Sequence, residues 1–341
     1  MLTSIRQQGV PENLVLLIQE MYSGSKARIK TEMEGRYFEI RRGVAQGDPL
    51  SPILFNSALE QIFRKVNWDK KGININGTKI SNLRFADDVL ILSNSELELN
   101  DMIAELADKG RESGLQMNIK KTKKLANQKC ETKTQLYDNE IETTAEATYL
   151  GQQLSFDYPT EKEIEIRITK TWNKYWSLKN IFKGPFKNYQ KSEIFNMCVV
   201  PTLAYGCQTW TLTAKNIKKI ATTQNSLERS MLGIRKKDRI RTSDIKNKLK
   251  HNVNVARFIR RQKWRWAGHV ARMKDDRWTY LATFWFLSQF KRKRGHPRTR
   301  WKDDINSFLH CKNFQRIAQD RVEWERLQET FALYGPRTSS P

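Results

Sequence analysis

The chain has 341 residues, of which 61 are Lys or Arg and 37 are Asp or Glu, so its formal net charge is +24. No stretch approaches the ~20 apolar residues of a membrane-spanning helix. The apolar run at residues 14–18 is shorter than the roughly 7–15 residues of a secretory signal core. We therefore expect an intracellular protein without a signal peptide or a transmembrane segment, and a length that suits one large domain or two smaller ones.

The charge is distributed unevenly along the chain. Residues 1–150 carry 21 basic and 21 acidic side chains, whereas residues 151–341 carry 40 basic and 16 acidic ones and nine of the ten tryptophans. Lysine and arginine displace counterions from a phosphate backbone, and aromatic faces stack on unpaired bases. The second part therefore predicts a nucleic-acid partner, although a tryptophan core under a solvated basic surface would have the same composition.

Cysteine and histidine spacing argues against a structural zinc site. The four cysteines are far apart and form no C-x-x-C pair, and the four histidines complete no zinc-finger pattern. Free thiols in a reducing compartment fit this pattern better.

The first predicted elements are a helix over residues 1–23, with Pro11 opening a turn, and a hairpin of strands 27–31 and 37–41. A glycine-rich loop over residues 43–52 follows. In it Asp48 is expected to cap a helix that runs to about Val66.

Further along the chain, the sequence predicts two strands within residues 83–92 that meet at Asp87 and Asp88. An amphipathic helix over residues 96–113 should stop at Gly114. Short strands over residues 115–119 and 149–154 are then expected, followed by basic helices over residues 160–341.

Asp87 and Asp88 are the first candidates for chemistry. Two adjacent carboxylates at a hairpin tip repel one another unless a cation joins them. Mg²⁺ or Mn²⁺ prefers such oxygen ligands and bridges to phosphate. Paired aspartates also occur in ordinary exposed turns, so the pair alone does not decide between these interpretations.

Four motifs in order give a specific resemblance. They are Phe-Ala-Asp-Asp at 85–88, the stretch 46–55 before it, and the stretches 114–123 and 149–151 after it. Over about residues 1–185 the chain resembles the reverse transcriptases of non-LTR (LINE-type) retrotransposons. The later stretches 264–273 and 295–305 resemble the C-terminal region of the RTE group of these elements.

The resemblance implies an α+β fold. Residues 1–155 would form a partial right-hand polymerase palm, with an antiparallel sheet and packed helices. Residues 156–190 would form thumb-like helices, and residues 191–341 a basic, mainly α-helical C-terminal region.

The resemblance also implies residue roles. Asp87 would be a metal-ligating catalytic aspartate with Asp88 beside it, and Lys121 would act near the triphosphate, unless it is only part of a solvated lysine run. The nucleotide- and template-binding residues would be Gln46, Gly47, Phe85 and Ala86. The residues that hold the primer end would be Tyr149, Leu150 and Gly151, although a plain buried tyrosine would look the same.

One departure concerns the metal site. Two-metal nucleotidyl transfer needs carboxylates that hold both ions. In the family one essential aspartate comes from a strand that precedes the first helix of this chain, and here the first aspartate is Asp48. The upstream fingers and endonuclease regions are also lacking, so we expect a truncated gene model, a decayed copy or a fragment that is inactive alone.

The basic C-terminal region holds further candidates. Residues 257–266 place arginines and tryptophans on a predicted helix that could line a nucleic-acid channel, bury its aromatic side chains, or do both. The predicted nucleic-acid patch consists of Arg260, Arg261, Lys263, Arg265, Lys291, Arg292, Lys293 and Arg294. Its last four residues would bind phosphate or serve as a nuclear import signal.

Two functions are therefore expected from the sequence. The first is a metal-dependent RNA-directed DNA polymerase remnant that uses Mg²⁺ or Mn²⁺, an RNA template, a DNA primer or target, and no small-molecule cofactor beyond dNTP. The alternative is a non-catalytic RNA- or DNA-binding module that uses the basic half. Either would act in the nucleus and without a membrane partner.

Overall fold

The structure is a computed structural model that describes residues 1–32, 34–127, 133–157, 159–275, 277–285 and 299–335. The chain divides into two compact units, residues 1–150 and residues 151–341. The part of the sequence with no net charge and the strongly basic part therefore fold as different units. The predicted patch residues Lys291, Arg292, Lys293 and Arg294 lie outside the described residues.

Among the described residues, the first unit contains four helices and eleven short strands. The helices are α1 (Leu2–Gln7), α2 (Glu12–Tyr22), α3 (Ser51–Lys65) and α4 (Glu96–Glu112). The strands are β1 (Lys26–Ala27), β2 (Phe38–Glu39), β3 (Ile73–Ile75), β4 (Thr78–Ile80), β5 (Asn82–Phe85), β6 (Asp88–Ile91), β7 (Lys123–Leu125), β8 (Gln135–Leu136), β9 (Asn139–Glu140), β10 (Glu142–Thr144) and β11 (Glu146–Tyr149).

The N-terminal helix is split in two, contrary to the single helix predicted over residues 1–23. Gly9 has a φ of 84°, and Pro11 lies in the extended position before α2. Proline cannot continue the hydrogen-bond ladder of a preceding helix, and it pushes the residue before it out of helical conformation. The local backbone preferences of these residues outweigh the helical apolar spacing.

Helix α4 forms where the sequence predicted it. The Ser95 side chain accepts a hydrogen bond from the backbone N–H of Glu98, and Gly114 has a φ of 78° just beyond the helix. A serine cap at the start and a left-handed glycine after the end are the usual signals for helix boundaries. Buried Met102, Leu106 and other residues of α4 then pack it onto the unit.

Four sheets of the first unit are antiparallel pairs. They are β1 with β2, β3 with β4, β5 with β6, and β8 with β9. Strand β10 instead pairs in parallel with β7. The predicted strand over residues 115–119 is wrong: Leu115, Met117 and Ile119 pack against hydrophobic clusters, but the segment belongs to no strand of the described chain. The apolar residues of this segment alternate because every second side chain packs against a cluster, and not because the segment pairs with a strand.

The second unit is mainly helical. Its first elements are β12 (Gln152–Ser155), α5 (Pro159–Ser177), α6 (Lys179–Phe182), α7 (Asn188–Ile194) and α8 (Val200–Ala204). They are followed by α9 (Ala214–Met231), α10 (Thr242–Lys248), α11 (Val255–Ala271), α12 (Trp278–Phe284), α13 (Asp303–Phe308) and α14 (Arg321–Tyr334). The expectation of an α+β chain with a helical second part is confirmed at this level.

A π-helical turn, Phe195–Val199, joins α7 to α8. Pro201 is the second residue of α8, two positions after the end of this turn. Because proline has no N–H, the regular ladder of hydrogen bonds cannot pass through it, and the backbone widens one turn earlier. The side chains of Phe195 and Val199 stay fully buried.

Two hydrophobic cores stabilise the second unit. One is built from α5, α8 and α9 around Tyr175, Phe195 and Leu227. The other lies between α11, α13 and α14 and contains Trp264 and Trp324. Burying a large apolar side chain contributes roughly 1.5–3 kcal/mol. Most tryptophans near α11 pack in or against these cores, which explains why tryptophan is frequent in this part of the sequence. In the described part of the chain, no helix is long and apolar enough to cross a membrane.

Candidate active site

The Phe-Ala-Asp-Asp motif forms the tip of the β5–β6 hairpin. Phe85 is paired with Asp88, so Ala86 and Asp87 form a two-residue turn. Ala86 has a φ of 51°, the left-handed backbone that tight hairpin turns require at their first central residue. Asp87 therefore lies in the turn and Asp88 begins β6. The prediction that two strands meet at this pair is confirmed.

The hairpin tip is exposed, whereas its base is anchored. Phe85, Ala86, Asp87 and Asp88 are all exposed. Val89 and Ile91 pack against the hydrophobic clusters of α3 and α4. A fixed base with an open tip leaves both carboxylates free to meet a ligand.

Arg84 ties the hairpin to α3, a contact that sequence reasoning missed. Its guanidinium donates to Glu60 Oε2 at 2.8 Å and lies over the Phe63 ring, 4.6 Å from the ring centroid. Arg64 donates to the other oxygen of Glu60 at 2.9 Å. These three contacts fix the strand that leads directly into the aspartate turn.

Tyr149 lies beside the same hairpin. Its hydroxyl donates to the Leu83 carbonyl oxygen at 3.4 Å, and burial and then the charge of Asp88 raise the pKa of Tyr149. A carboxylate raises a phenol pKa because it disfavours a second negative charge nearby. Two motifs separated by about sixty residues in the sequence are thus brought together in the first unit.

Leu150 and Gly151 form a turn directly after Tyr149. Both have left-handed φ angles, 48° and 75°. The strand predicted over residues 149–154 is therefore interrupted after Tyr149 and resumes at Gln152. Leucine rarely adopts this conformation, so Gly151 is the residue in the sequence that indicates a turn here.

The Gln46-Gly47 loop is held by its neighbour Asp48. The Asp48 carboxylate accepts from the Tyr22 hydroxyl at 3.1 Å and from the Leu50 backbone N–H at 3.0 Å. Gly47 has a φ of 92°, and Gln46 is exposed. Asp48 therefore stabilises the loop before α3, but the prediction that it caps the helix is wrong, because the N-cap of α3 is Leu50 and no side chain caps the helix there. Gln46 is left at the surface.

Lys121 is exposed on a turn. Its backbone N–H donates to Asn118, both to the carbonyl oxygen at 3.1 Å and to the side chain at 3.2 Å. Within the described ranges, no hydrogen bond or ion pair joins Lys121 or Gln46 to the aspartate hairpin. A nearby lysine that the sequence did not single out, Lys124, is buried and paired with Glu96 at 2.6 Å.

The predicted basic patch on α11 is only partly a free surface. Arg260 donates to the carbonyl oxygens of Ala332 and Leu333, and Arg261 donates to Glu329 at 2.6 Å. Arg265 is exposed and donates through Nε to Gln328 at 3.0 Å. These arginines contact α14 because the two helices pack together, so part of their hydrogen-bonding capacity is used within the unit.

The inclusion of Lys263 in that patch is corrected. Lys263 is fully buried, and its ammonium group donates to Asp304 at 2.8 Å and to the Trp210 carbonyl oxygen at 3.0 Å. It also lies 5.2 Å from the centroid of the Trp301 ring. Burial lowers the pKa of Lys263, against the attraction of Asp304. Helical periodicity placed this lysine among solvent-facing arginines, but its carboxylate partner lies 41 residues away.

A second group of lysines was missed by the sequence analysis. Burial, and then the charges of Lys191 and Lys179, lower the pKa of Lys183. The Lys183 ammonium group donates to the Ser230 carbonyl oxygen, and Lys191 is itself buried. No ion pair links any of the three to a carboxylate in the part of the chain that the structure describes. Exposed Trp176 lies three residues before Lys179 in the chain. Uncompensated positive charge of this kind favours an anionic partner.

The carboxylates of the hairpin suit a hard cation only in part. Asp87 and Asp88 supply oxygen ligands, and Mg²⁺ is commonly held by one or two carboxylates together with water and substrate phosphates. The described residues contain no group of three or more His, Cys, Asp or Glu side chains that could hold a metal ion. The pair therefore fits one weakly held ion that a phosphate ligand would help to retain.

Comparison with known proteins gives the family. Residues 2–154 match the reverse transcriptase (RNA-dependent DNA polymerase) family. A transposon-derived protein of Caenorhabditis elegans is 31% identical over 272 residues, which cover 74% of this chain and 96% of that protein. Pol polyproteins of the type-1 retrotransposable element R2 from Nasonia vitripennis and Popillia japonica are 28% and 30% identical over 59% and 51% of this chain.

The chain spans 20% and 30% of the length of those two R2 polyproteins. The Nasonia and Popillia relatives are R2 elements, so the expected likeness of the C-terminal region to the RTE group stays a prediction. The aspartate hairpin, the motif order and the relatives agree on one conclusion. The chain belongs to the reverse transcriptases of non-LTR retrotransposons.

Proposed function

We propose that the first unit carries part of a polymerase metal site. In this proposal Asp87 and Asp88 hold Mg²⁺ or Mn²⁺, and the ion supplies a positive charge that steadies the triphosphate of an incoming dNTP. The observation that carries the proposal is the exposed aspartate tip of an anchored hairpin, with Tyr149 beside Asp88. Because the tip faces solvent, a nucleotide has access to both carboxylates.

The other motif residues then act around this tip. Phe85 and Ala86, with Gln46 and Gly47, contact the template and the nucleotide, and the positive φ of Gly47 lets the backbone approach closely. Lys121 neutralises charge on the triphosphate. Tyr149, Leu150 and Gly151 hold the primer end. These roles correspond to a palm over residues 1–155, thumb-like helices over 156–190 and a basic C-terminal region over 191–341.

We also propose that residues 1–341 alone do not synthesise DNA. Two-metal catalysis needs carboxylates for both ions, and the hairpin provides a single adjacent pair. Residues 1–47 contain glutamates but no aspartate. Each 1.36 kcal/mol lost from transition-state stabilisation costs about tenfold in rate, so a missing principal ligand reduces synthesis to background.

The second unit supplies nucleic-acid affinity in this proposal. Its charge excess accounts for the whole net charge of +24, and the Lys179, Lys183 and Lys191 cluster has no carboxylate partner among the described residues. An RNA template and a DNA primer or target are the expected partners, and the nucleus is the expected location. A non-catalytic RNA- or DNA-binding protein is the second candidate function, and this lysine cluster is the observation that favours it.

Primer extension on an RNA template, with Mg²⁺ and with Mn²⁺, tests the catalytic part. The expected result is no extension by the 341-residue chain. Processive synthesis that Asp87→Asn abolishes and Asp101→Asn leaves intact would show that the chain is a complete polymerase. Asp101 is an exposed aspartate on α4, so its variant controls for the loss of one negative charge.

Filter binding at increasing salt tests the binding part. We expect the full chain to retain single-stranded RNA, with a log–log salt slope of about −0.7 for each phosphate contact. The triple variant Lys179→Gln, Lys183→Gln and Lys191→Gln should bind more weakly and with a shallower slope. The variant Lys109→Gln, Lys120→Gln and Lys133→Gln removes the same charge from the first unit and should bind as the parent does. Equal loss in both variants would contradict the assignment of binding to the second unit.

A further inference from the structure

A cavity of about 320 Å³ lies along α11 in the second unit. Its lining residues are Gln208, Gln262, Arg265, Trp266 and His269. The four that belong to α11 are spaced i, i+3, i+4 and i+7, which places them on one face of the helix. None of the five belongs to the two hydrophobic cores of this unit. This face of α11 therefore lies outside both hydrophobic cores, and Arg265 on it contacts α14 through Gln328.

Two rings form one side of the cavity. Trp266 is half-buried and His269 is exposed, and their ring centroids lie 5.5 Å apart with a tilt of 36°. The other tryptophan of α11, Trp264, is fully buried in the core. An indole ring left at the edge of a cavity is a surface on which a planar aromatic ligand stacks.

Two amide side chains face the same space. The side chains of Gln208 and Gln262 make no hydrogen bond to any described residue, and each offers both a donor and an acceptor. The backbone of Gln208 is fixed, because Trp301 Nε1 donates to its carbonyl oxygen at 2.8 Å. Paired donor and acceptor groups beside an aromatic face match the edge of a nucleobase.

A cation completes the site. Arg265 uses Nε for its bond to Gln328, and its Nη groups donate to no other described residue. Guanidinium groups bind phosphate through such free N–H groups. The cavity volume lies at the lower end of the range for small-ligand pockets, which suits one base rather than a base pair.

We propose that this cavity binds one unpaired nucleotide of a single-stranded nucleic acid. The base stacks on Trp266, its edge meets Gln208 and Gln262, and Arg265 binds the adjacent phosphate. This inference rests on the proposed nucleic-acid binding of the second unit and adds a base-recognising subsite to it. Base stacking and amide contacts give a nucleotide preference that charge alone does not.

The test is fluorescence anisotropy of the full chain with short labelled single-stranded RNA and DNA. Trp266→Ala should weaken binding about 5- to 150-fold, the range for loss of one stacked base, and Trp266→Phe should restore most of it. Trp278→Ala is the matched control, since Trp278 is also half-buried but lies on α12 outside the cavity. A greater loss on RNA or on DNA identifies the natural ligand.

An abasic oligonucleotide separates stacking from charge. Because this oligonucleotide keeps the phosphates and lacks the bases, the Trp266→Ala variant should bind it as tightly as the parent does. Gln262→Leu should also weaken binding to the intact strand. Thermal melting checks that both variants fold, and Gln262→Leu replaces Trp266→Ala in the test if the tryptophan variant does not fold. If the parent binds the intact strand and both variants bind it as tightly as the parent does, the proposed subsite is wrong, while the proposed nucleic-acid binding of the second unit stands. If the parent binds neither strand, the proposed function fails as well.

Discussion

Trp264 and Trp324 are joined by two reciprocal hydrogen bonds. Each indole N–H donates to the backbone carbonyl oxygen of the other residue, at 2.8 Å and 3.1 Å, and the two rings stack with centroids 3.9 Å apart. Buried indole N–H groups need a partner, and here each tryptophan supplies it for the other. This pair fixes α14 against α11 in both register and rotation.

Gly268→Ala should destabilise the second unit. A Cβ atom at Gly268 would overlap the Trp324 ring and would also crowd Arg272. Overpacking of a well-filled core typically costs 1–3 kcal/mol, which outweighs the higher helix propensity of alanine. Urea unfolding measures the difference. His269→Ala, at the exposed neighbouring position, should change stability by less than about 0.5 kcal/mol, and an equal effect of both variants would argue against the overlap.

Lys263→Met should be strongly destabilising because it leaves the Asp304 carboxylate buried without its partner. Removing one member of a buried ion pair typically costs 3–5 kcal/mol. The double variant Lys263→Met and Asp304→Leu should recover a large part of this loss. The remainder is expected because the Trp210 carbonyl oxygen also loses a donor. Denaturant unfolding of the single and double variants completes the cycle, and simple additivity would show that the two side chains do not interact.

Glu329 should make stability depend on acid pH. Arg261 and Arg257 donate to its carboxylate and lower its pKa from 4.5 to about 2. A carboxyl group with a lowered pKa in the folded state stabilises that state above its unfolded pKa and loses this effect as pH falls. The side chain is 46% exposed, so screening by water limits the contribution to about 1 kcal/mol or less.

Thermal melts of the parent and of Glu329→Gln test this dependence. The difference in stability should be constant above about pH 5 and should shrink as pH falls from 5 towards 2. Glu325→Gln provides the control, since Glu325 is exposed on the same helix and has no ion pair among the described residues. A difference between parent and Glu329→Gln that persists unchanged at the lowest pH would mean that the arginines do not hold the carboxylate.

The parts of the fold that the sequence predicted are those specified by local signals. Ser95 and Gly114 bound helix α4, and the turn at Ala86 and Asp87 lies between two short apolar strands. Each of these signals acts within a few residues of where it occurs. Chain topology plays little part in them, so pattern and propensity suffice.

The parts that were missed depend on distant partners. The burial of Lys263 follows from Asp304 and Trp210, which lie on other elements, and the use of Arg260 and Arg261 follows from the packing of α14. Helical periodicity says that a side chain is polar and which neighbours share its face. It does not say which other element covers that face, so solvent-facing and buried charges look the same in sequence.

Mn²⁺ should stabilise the chain slightly through Asp87. Without a cation, the adjacent Asp87 and Asp88 carboxylates repel one another at the exposed tip, and two carboxylates with retained waters form a weak site. We therefore expect millimolar binding and a stabilisation of about 1 kcal/mol or less when the ion reaches a few times its Kd. Thermal melts with and without excess Mn²⁺ should show a small upward shift for the parent and for Asp101→Asn, and none for Asp87→Asn. If Asp87→Asn melts above the Mn²⁺-loaded parent, and the parent does not respond to Mn²⁺, the two aspartates only repel one another and hold no ion.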